Sequence, residues 1–542
     1  MYLLKKSPRG LGLNEPILDN GHGKPVTRRE MIARGFMTGP AVIAAPSILA
    51  MMFGAEKARA MSADLEAMKL PCGIIGGAGK IPFIAFDLSG GWNSVGSEIL
   101  GGQVGQLDFL TTAGYAKQGL PGEMTPNSPN AASATNNFIN QEFGTAWHSD
   151  GAILRGMQAS TQVTTRANVN GFPIAARSEN DTSNNPHNPM YGINRVGADG
   201  ELLTLIGSQN SDSGGNSIAP PAMMNPAVRP TKVDRASDVT GLVDTGELST
   251  LFTNSDDAIA VLESMTRLSH RKTDLVQTKL SMQAEADLQK LVKCGYVKST
   301  YLADTFRSPD ALNPDLDPHI VMQTNPAKPQ PAGITPIFTA AEYAGDNEFR
   351  KTAAIMKMVL NGFAGAGTIN MGGYDYHGQG RDTAEIRNFR AGRCIGACLE
   401  YAARKQIPLM IYAFSDGSLS ANGVRNMTVN GRGKLDWASD NQSTAAPFVL
   451  VYNPTRRPVL RDLTRTQLGK WSGSGDVQTT AFVGANAVNL LVETVILNYM
   501  ALHGEEGQFT TKFPSNGLGG TAQRDATTMF APLVNGTVTN PV

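Results

Sequence analysis

Three acidic residues follow short apolar stretches that predict buried strands: Asp87, Asp375 and Asp416. Carboxylates that converge at one place repel one another unless a cation or protons lie between them. His377, two residues after Asp375, adds an imidazole to the same loop. Carboxylates with an imidazole suit zinc, manganese or magnesium better than metals that prefer thiolates. These residues predict a divalent metal site, although an acid at such a position is also typical of a loop cap or turn.

The chain around these acids predicts alternating helices and strands. Apolar residues at helical spacing indicate a helix beginning near Asn347, and residues 367–371 then predict a short strand. A second helix follows, and residues 408–414 predict an apolar strand that runs into Asp416. This order indicates βαβ units and a parallel sheet, whose ligands bind beyond the carboxyl ends of the strands. All three acids are expected at that edge.

We expect one α/β domain over residues 61–542, with a loop-rich insertion near residues 208–250. That stretch is rich in Ser, Asn, Gly and Pro, which is typical of a long surface loop. Two further helices are expected, over residues 256–293 with Ser255 as N-cap and over residues 488–502.

The first sixty residues resemble an export signal. Residues 27–32, Thr-Arg-Arg-Glu-Met-Ile, match the twin-arginine pattern, and residues 35–54 form an apolar stretch. Ala58 and Ala60 are small residues at the minus-three and minus-one positions of a possible cleavage site. Residues 1–60 are therefore predicted to engage the twin-arginine export machinery, which places the protein in the periplasm or outside the cell. An uncleaved anchor is the alternative, but prolines and glycines interrupt the stretch, so no stable membrane span is expected after cleavage.

The charge balance excludes one large class of partner. Lys plus Arg and Asp plus Glu both number 47, so the formal net charge is zero. A general nucleic-acid binder would need a basic excess, and no nucleic acid is expected as a partner.

The four cysteines are too few for a disulfide scaffold. Cys394 and Cys398 are spaced to share one face of a predicted helix, where a pair could bind metal. We interpret them as small buried helix residues because no further ligands stand at zinc-site spacing.

Three short motifs resemble an exported family. Residues 86–93 (Phe-Asp-Leu-Ser-Gly-Gly-Trp-Asn) resemble the first strand and glycine loop of domain-of-unknown-function family 1501. Residues 372–377 (Gly-Gly-Tyr-Asp-Tyr-His) resemble its Gly-Gly-Trp-Asp-Thr-His element, and residues 414–417 (Phe-Ser-Asp-Gly) resemble its Ser-Glu-Phe-Gly strand end. The resemblance runs from about residue 81 to the C-terminus. The family is grouped with the alkaline-phosphatase-like superfamily, alongside sulfatases and cofactor-independent phosphoglycerate mutases.

The resemblance implies an alkaline-phosphatase-like three-layer sandwich with a mostly parallel central sheet and loop-rich insertions. It also implies that two divalent ions activate a Ser or Thr for attack on phosphate or sulfate. Ser178 is the candidate nucleophile, because Arg177-Ser178-Glu179 resembles the Ser-containing turn of the family. Arg177 would clamp an anionic group, and His187 follows in a polar loop. The alternative is a surface loop held by side-chain-to-backbone hydrogen bonds.

Two departures from the pattern remove expected imidazole ligands. Gly417 follows Asp416 where the phosphatases place His, and Trp437 follows Asp436 where relatives carry Asp-His-Gly. Asp436 would then be a peripheral ligand. His148 could substitute from elsewhere, but a lone His is often an interior residue.

Two functions remain open. The first is an exported metal-dependent hydrolase of a small anionic phosphate or sulfate ester. Its metal would be held by Asp87, Asp375, His377, Asp416 and Asp436, and Ser178 and Arg177 would act on the ester. The second is a non-catalytic phosphatase-like scaffold that serves as a periplasmic binding or envelope assembly protein. The missing histidines favour the scaffold, and the retained acids favour the metal.

Overall fold

The computed structural model describes residues 61–72, 74, 78–177, 185–241, 255–278, 280–305, 309–378, 380–440, 444 and 447–538. The predicted export signal and Ser178 lie outside these ranges. Among the described residues, no helix is both long and apolar enough to cross a membrane.

The chain divides into two compact units, where the sequence suggested one domain. One unit comprises residues 1–74 and 241–311, and the other comprises residues 75–240 and 312–542. The division follows from residues 255–305, which fold as a helical hairpin with its own contacts to the N-terminal segment.

The larger unit is built on a central sheet. The strands of this unit are β1 Phe83–Leu88, β2 Ile139–Asn140, β3 Trp147–His148, β4 Val169–Pro173, β5 Leu203–Gly207, β6 Thr231–Lys232, β7 Ala364–Met371, β8 Leu409–Phe414, β9 Leu419–Arg425, β10 Leu435–Asp440 and β11 Phe448–Tyr452. Seven of them form the central sheet in the order β4-β11-β8-β1-β7-β5-β6. All neighbouring strands of this sheet are parallel except β11, which is antiparallel to both β4 and β8. The prediction of an α/β fold with a mostly parallel sheet is confirmed.

Fourteen α-helices are described across the two units, with short 3₁₀ turns between some of them. They are α1 Ala63–Glu66, α2 Thr112–Lys117, α3 Ala152–Ser160, α4 Val163–Ala167, α5 Met190–Arg195, α6 Ala236–Thr240, α7 Ser255–Asp274, α8 Met282–Thr305, α9 Ala340–Gly345, α10 Asn347–Leu360, α11 Gly380–Lys405, α12 Val488–Leu502, α13 Phe509–Lys512 and α14 Thr521–Thr527. The helices predicted near Asn347 and over residues 488–502 are both present.

Helices cover both faces of the central sheet. All six residues of β1 are buried, as expected for a parallel strand covered on both sides. Ala366 of β7 belongs to an apolar cluster with residues of α5 and α12. A Cβ on the next residue, Gly367, would meet Ile355 of α10 at 2.6 Å. Because successive residues of a strand face opposite ways, α10 lies on the other face from α12.

The strand register brings several carboxyl ends to one edge. Asp87 at the end of β1 pairs with Asn370 of β7 and with Phe414 at the end of β8. Gly207, the last residue of β5, pairs with Thr368 of β7. The loops that leave β1, β5, β7 and β8 therefore begin at the same edge of the sheet.

The smaller unit is a helical hairpin of α7 and α8, joined to the segment that follows the predicted export signal. We expected one helix over residues 256–293, but the chain breaks between Asp274 and Met282 and reverses. Cys72 and Cys294 form a disulfide across 222 residues of sequence. Arg267 of α7 also binds Asp64, with Nη2 at 2.7 Å from Oδ1.

The cysteines divide into two pairs. Cys394 and Cys398 are buried in α11 and not disulfide-bonded, as predicted. Burial raises the pKa of the Cys394 thiol to about 12, so it stays protonated at neutral pH. The disulfide between the other two was not expected, because nothing local in the sequence pairs residues so far apart.

Candidate functional site

Asp87 is buried at the end of β1, and its carboxylate is surrounded by donors from this chain. Oδ2 accepts the backbone N–H groups of Asn216 and Ser217, both at 2.8 Å. Oδ1 accepts the hydroxyls of Ser89 at 3.2 Å and Ser217 at 3.3 Å. Burial raises the pKa of Asp87, and the two backbone donors oppose that shift. Protein donors thus occupy both oxygens of this predicted ligand.

The loop that supplies these donors follows β5, in the stretch we interpreted as a surface insertion. In the structure, residues 208–217 of this stretch form a loop whose buried residues 213–215 and 217 pack onto the sheet edge beside Asp87. A Cβ on Gly215 would lie 2.6 Å from Asp87 Oδ2, so only glycine allows the loop to come this close. Ser213 closes the turn by donating to Ser217 O at 2.5 Å.

Asp416 lies two residues beyond β8 and is also buried. Its Oδ1 accepts the N–H of Gly90 at 2.7 Å, and its Oδ2 accepts the Asn216 side-chain amide at 3.1 Å. Asn216 therefore joins the two acids, by its backbone to Asp87 and by its side chain to Asp416. A hydrogen-bonded amide occupies the position between carboxylates where we expected a cation.

The loop after β7 turns Asp375 and His377 away from the core. Tyr374 and Tyr376 are fully buried, so Asp375 and His377, which alternate with them, point the other way and remain partly exposed. The Tyr374 N–H donates to Ser89 O at 3.0 Å, which fixes this loop against the loop after β1. Gly90 makes the close approach feasible: it has φ +120°, and a Cβ there would lie 2.5 Å from Asp375 N.

Asp375 and His377 meet a third residue, Asp440, at the end of β10. His377 Nδ1 contacts Asp375 Oδ1 directly and lies 3.1 Å from Asp440 Oδ1. One ligand atom from each residue lies within 4.8 Å of the other two. Among the described residues, this is the one group of three or more His, Cys, Asp or Glu side chains with such geometry. We call Asp375, His377 and Asp440 the acidic-histidine cluster.

The donor chemistry of the acidic-histidine cluster fits a divalent metal. Two carboxylates and one imidazole form a mixed oxygen and nitrogen set that suits zinc, manganese or magnesium. Two ligands on one ion, each about 2 Å away, lie at most about 4 Å apart, so a small side-chain movement would bring all three atoms to binding distance. The three side chains are 39% to 53% exposed, which leaves water access to the remaining coordination positions.

Asp436 has a different environment from the one we predicted. Its Oδ1 accepts the N–H of Arg381 at 2.8 Å and the Asn426 side-chain amide at 3.0 Å. Arg381 is the second residue of α11, so Asp436 stabilises the unpaired donors and positive dipole at the beginning of that helix. The neighbouring Trp437 is buried and packs against the Arg381 guanidinium, whose centre lies 4.3 Å from the ring.

His148, considered as a substitute ligand, and His187, noted in the polar loop after Ser178, are both interior residues. His148 Nε2 lies 2.8 Å from Met124 O, and its Nδ1 accepts the Asp150 N–H at 3.3 Å. Burial lowers the pKa of His148 to about 3, so the ring is neutral and uses both nitrogens within the protein. His187 is buried and stacks on Phe414, and burial lowers its pKa to about 3 as well.

Of the two residues predicted to act on the ester, Arg177 and Ser178, the structure describes only Arg177. Arg177 Nη1 donates to Asn486 Oδ1 at 3.0 Å, and its backbone N–H donates to Ala485 O. Ser178 lies outside the described residues. Asn185, the next described residue, donates from its side-chain amide to Asp416 O at 2.6 Å and so lies beside the sheet edge that carries the acids.

Sequence reasoning missed Asn216 and Asp440. Asn216 stands in a Ser-Gly-Asn run that is typical of any surface loop, and its partners are more than a hundred residues away. Asp440 ends a short alternation of buried Leu435 and Trp437 with more exposed residues, which would have predicted a strand ending in an acid.

The fold and the site define the class of this protein as an α/β protein with a mostly parallel sheet and polar residues gathered beyond its strand ends. A scan of protein-family models found no match to the chain, and a search of curated proteins found none either.

Proposed function

We propose that the protein binds one divalent metal ion at the acidic-histidine cluster and hydrolyses small phosphate or sulfate esters there. The observation that carries this proposal is the convergence of Asp375, His377 and Asp440 at the loop edge of the sheet. Three protein ligands with partial exposure are characteristic of metal sites that keep a position open for water or substrate. A bound ion would supply Lewis acidity and a more acidic bound water.

The residues of this chain have separate tasks in the proposal. Asp375 and Asp440 would neutralise the charge of the ion, and the imidazole of His377 would complete the ligand set. Asn216 holds Asp87 and Asp416 in place beneath the loops, since it donates to both. Arg177 would clamp the anionic ester. The Ser178 oxygen would attack the phosphorus or sulfur and the alcohol would leave, and water would then release the phosphate or sulfate from Ser178. The overall architecture we propose is the alkaline-phosphatase-like three-layer sandwich of family 1501, which helices on both faces of the sheet support.

The proposal has one ion rather than two because of Asp87 and Asp416. Their carboxylates accept hydrogen bonds from the chain itself at 2.7 to 3.1 Å on the oxygens that a second ion would need. Binding a cation there would require the loop at residues 208–217 to leave the sheet edge. The same observation favours a second candidate function, a non-catalytic phosphatase-like protein that binds a partner or assists envelope assembly.

Export through the twin-arginine machinery to the periplasm or beyond is part of the proposal. The disulfide between Cys72 and Cys294 supports it, because disulfides persist in oxidising compartments and are rare in reducing ones. Cys72 lies only twelve residues beyond the predicted cleavage position at Ala60, so the disulfide would be retained in the mature protein.

The experiment that tests hydrolysis is an ester assay on mature protein loaded with zinc, manganese or magnesium in turn. We expect turnover of p-nitrophenyl phosphate or sulfate that a chelator abolishes and metal restores. His377→Ala should lower kcat/KM by a hundredfold or more, whereas Asp462→Ala, an exposed acid elsewhere, should leave it unchanged. Metal-loaded protein with no turnover of either ester class would favour the non-catalytic function.

A further inference from the structure

The hairpin of α7 and α8 carries many exposed apolar side chains. Ten large apolar residues between positions 261 and 296 are each more than a third exposed. Leu268 is 54% exposed, Leu275 is 82% exposed and Met282 is 91% exposed. Isolated exposed apolar residues are normal on a protein surface, but a group concentrated on one element marks an interaction surface.

The described buried apolar residues of the hairpin lie only in the half that contains the beginning of α7 and the end of α8. Ile259 and Leu262 of α7 are buried, as are Val297 and Tyr301 of α8. Of the described residues from 267 to 296, none is buried. A helix with an apolar stripe is stable when another element covers that stripe, and a two-helix hairpin covers only part of each stripe.

The apolar residues have the spacing of helices that pack against helices. Val261, Met265 and Leu268 of α7 follow one another at intervals of four and three, and Leu275, seven residues further on, lies in the turn just beyond the helix. This is the heptad pattern that lines the seam between paired helices. Leu288 and Leu291 of α8 are three apart, so they also lie on one face. Each helix therefore presents a stripe rather than a scatter of apolar side chains.

We propose that this hairpin docks onto the same hairpin of a second copy of the chain and forms a four-helix bundle. Summed over the two helices and the turn between them, the ten residues expose surface on the order of 1,000 Å². One partner in a standard interface contributes about 800 Å², so the hairpin alone carries enough surface for a specific dimer. A twofold-symmetric pair needs one self-complementary patch, which the stripes provide.

The charges of the hairpin favour a second copy over an anionic membrane surface. Residues 255–305 contain seven acidic and seven basic residues, so their formal net charge is zero. Interfacial membrane helices carry an excess of Lys and Arg on their polar face, which this hairpin lacks. A neutral hairpin also does not repel its own copy.

Sedimentation of the mature chain, residues 61–542, tests the dimer. We expect a concentration-dependent dimer at micromolar protein. The double variant Leu268→Glu, Leu275→Glu should raise the dissociation constant about a hundredfold or more, because each copy would place two charges in the apolar seam. The matched control is Val429→Glu, which alters a side chain that is 92% exposed in the larger unit and should leave the dimer unchanged.

Three outcomes would overturn the proposal. They are a wild-type chain that is monomeric throughout the micromolar range, a dimer that the double variant does not weaken, and a monomer that instead binds anionic phospholipid vesicles. Circular dichroism establishes that each variant is folded, and the single variant Leu268→Glu replaces the double variant if the latter does not fold.

Discussion

The side-chain amide of Asn216 donates a hydrogen bond to Asp416 Oδ2 at 3.1 Å, although 200 residues separate the two positions. The backbone N–H of Asn216 donates at the same time to Asp87 Oδ2 at 2.8 Å. Two acids that would repel each other are thereby held beside one polar residue of the chain. This relationship confines the proposed metal to the acidic-histidine cluster and accounts for two predicted ligands without a second ion.

Replacing Asn216 should lower the stability of the folded protein. Asn216→Ala keeps the backbone donor to Asp87 but leaves Asp416 without the side-chain amide. We expect the free energy of unfolding to fall by about 1.5–3 kcal/mol, the usual contribution of a hydrogen bond to a charged group. Urea denaturation of the two proteins measures this difference. Asn210→Ala, an exposed position in the same loop, is the matched control and should change stability by less than about 0.5 kcal/mol. Equal stability of Asn216→Ala and the wild type would mean that the contact contributes nothing.

The pH dependence of stability should identify His148 as a buried neutral residue. Its pKa is about 3 in the folded protein, against 6.5 for an exposed imidazole, so below pH 6.5 the unfolded chain binds a proton that the folded chain does not. The wild type should therefore lose about 1.4 kcal/mol per pH unit below pH 6.5 through this residue. The His148→Gln variant has no imidazole at this position and therefore does not lose stability in this way.

Urea denaturation of both proteins at pH 7 and pH 5 isolates the contribution of His148 to the pH dependence of the free energy of unfolding. The wild type should be the more stable protein at pH 7, and its advantage should shrink by about 2 kcal/mol at pH 5. An advantage that stays constant with pH would show that the ring titrates normally. The comparison cancels contributions from other titrating groups, which are common to both proteins.

The disulfide between Cys72 and Cys294 should stabilise the smaller unit. A native disulfide typically contributes about 2–4 kcal/mol, largely by restricting the unfolded chain. The double variant Cys72→Ser, Cys294→Ser should expose α7 and α8 to limited proteolysis at lower temperature than the wild type. Addition of a reductant should bring the wild type to the behaviour of the variant and leave the variant unchanged. Identical digestion of both oxidised proteins would contradict the prediction.

The sequence predicts the parts of the fold that depend on local pattern. The βαβ segment that contains β7, α11 and β8 follows from apolar periodicity, and the common direction of its two strands, which both pair with β1, follows from connectivity. The Tyr-Asp-Tyr-His motif also encodes its own orientation, because alternation buries the two tyrosines and exposes Asp375 and His377. These features need no knowledge of distant residues.

The missed features depend on contacts between distant parts of the chain. Asp87 is a plausible metal ligand until the loop at Asn216 reaches it from 129 residues away. Asp436 and a metal ligand are indistinguishable in sequence, since both are acids near a strand, and only the beginning of α11 reveals its role as a helix cap. The break between α7 and α8 follows from a chain reversal at residues 275–281, which no proline marks.

The metal content of mature protein purified without chelators tests whether the acidic-histidine cluster binds a metal ion. We predict about one equivalent of zinc, manganese or magnesium per chain. Asp375→Ala, His377→Ala and Asp440→Ala should each lose it, while Asp87→Ala and the exposed control Asp462→Ala should retain it. Folded protein without metal, or metal that survives Asp375→Ala and disappears in Asp87→Ala, would contradict the account.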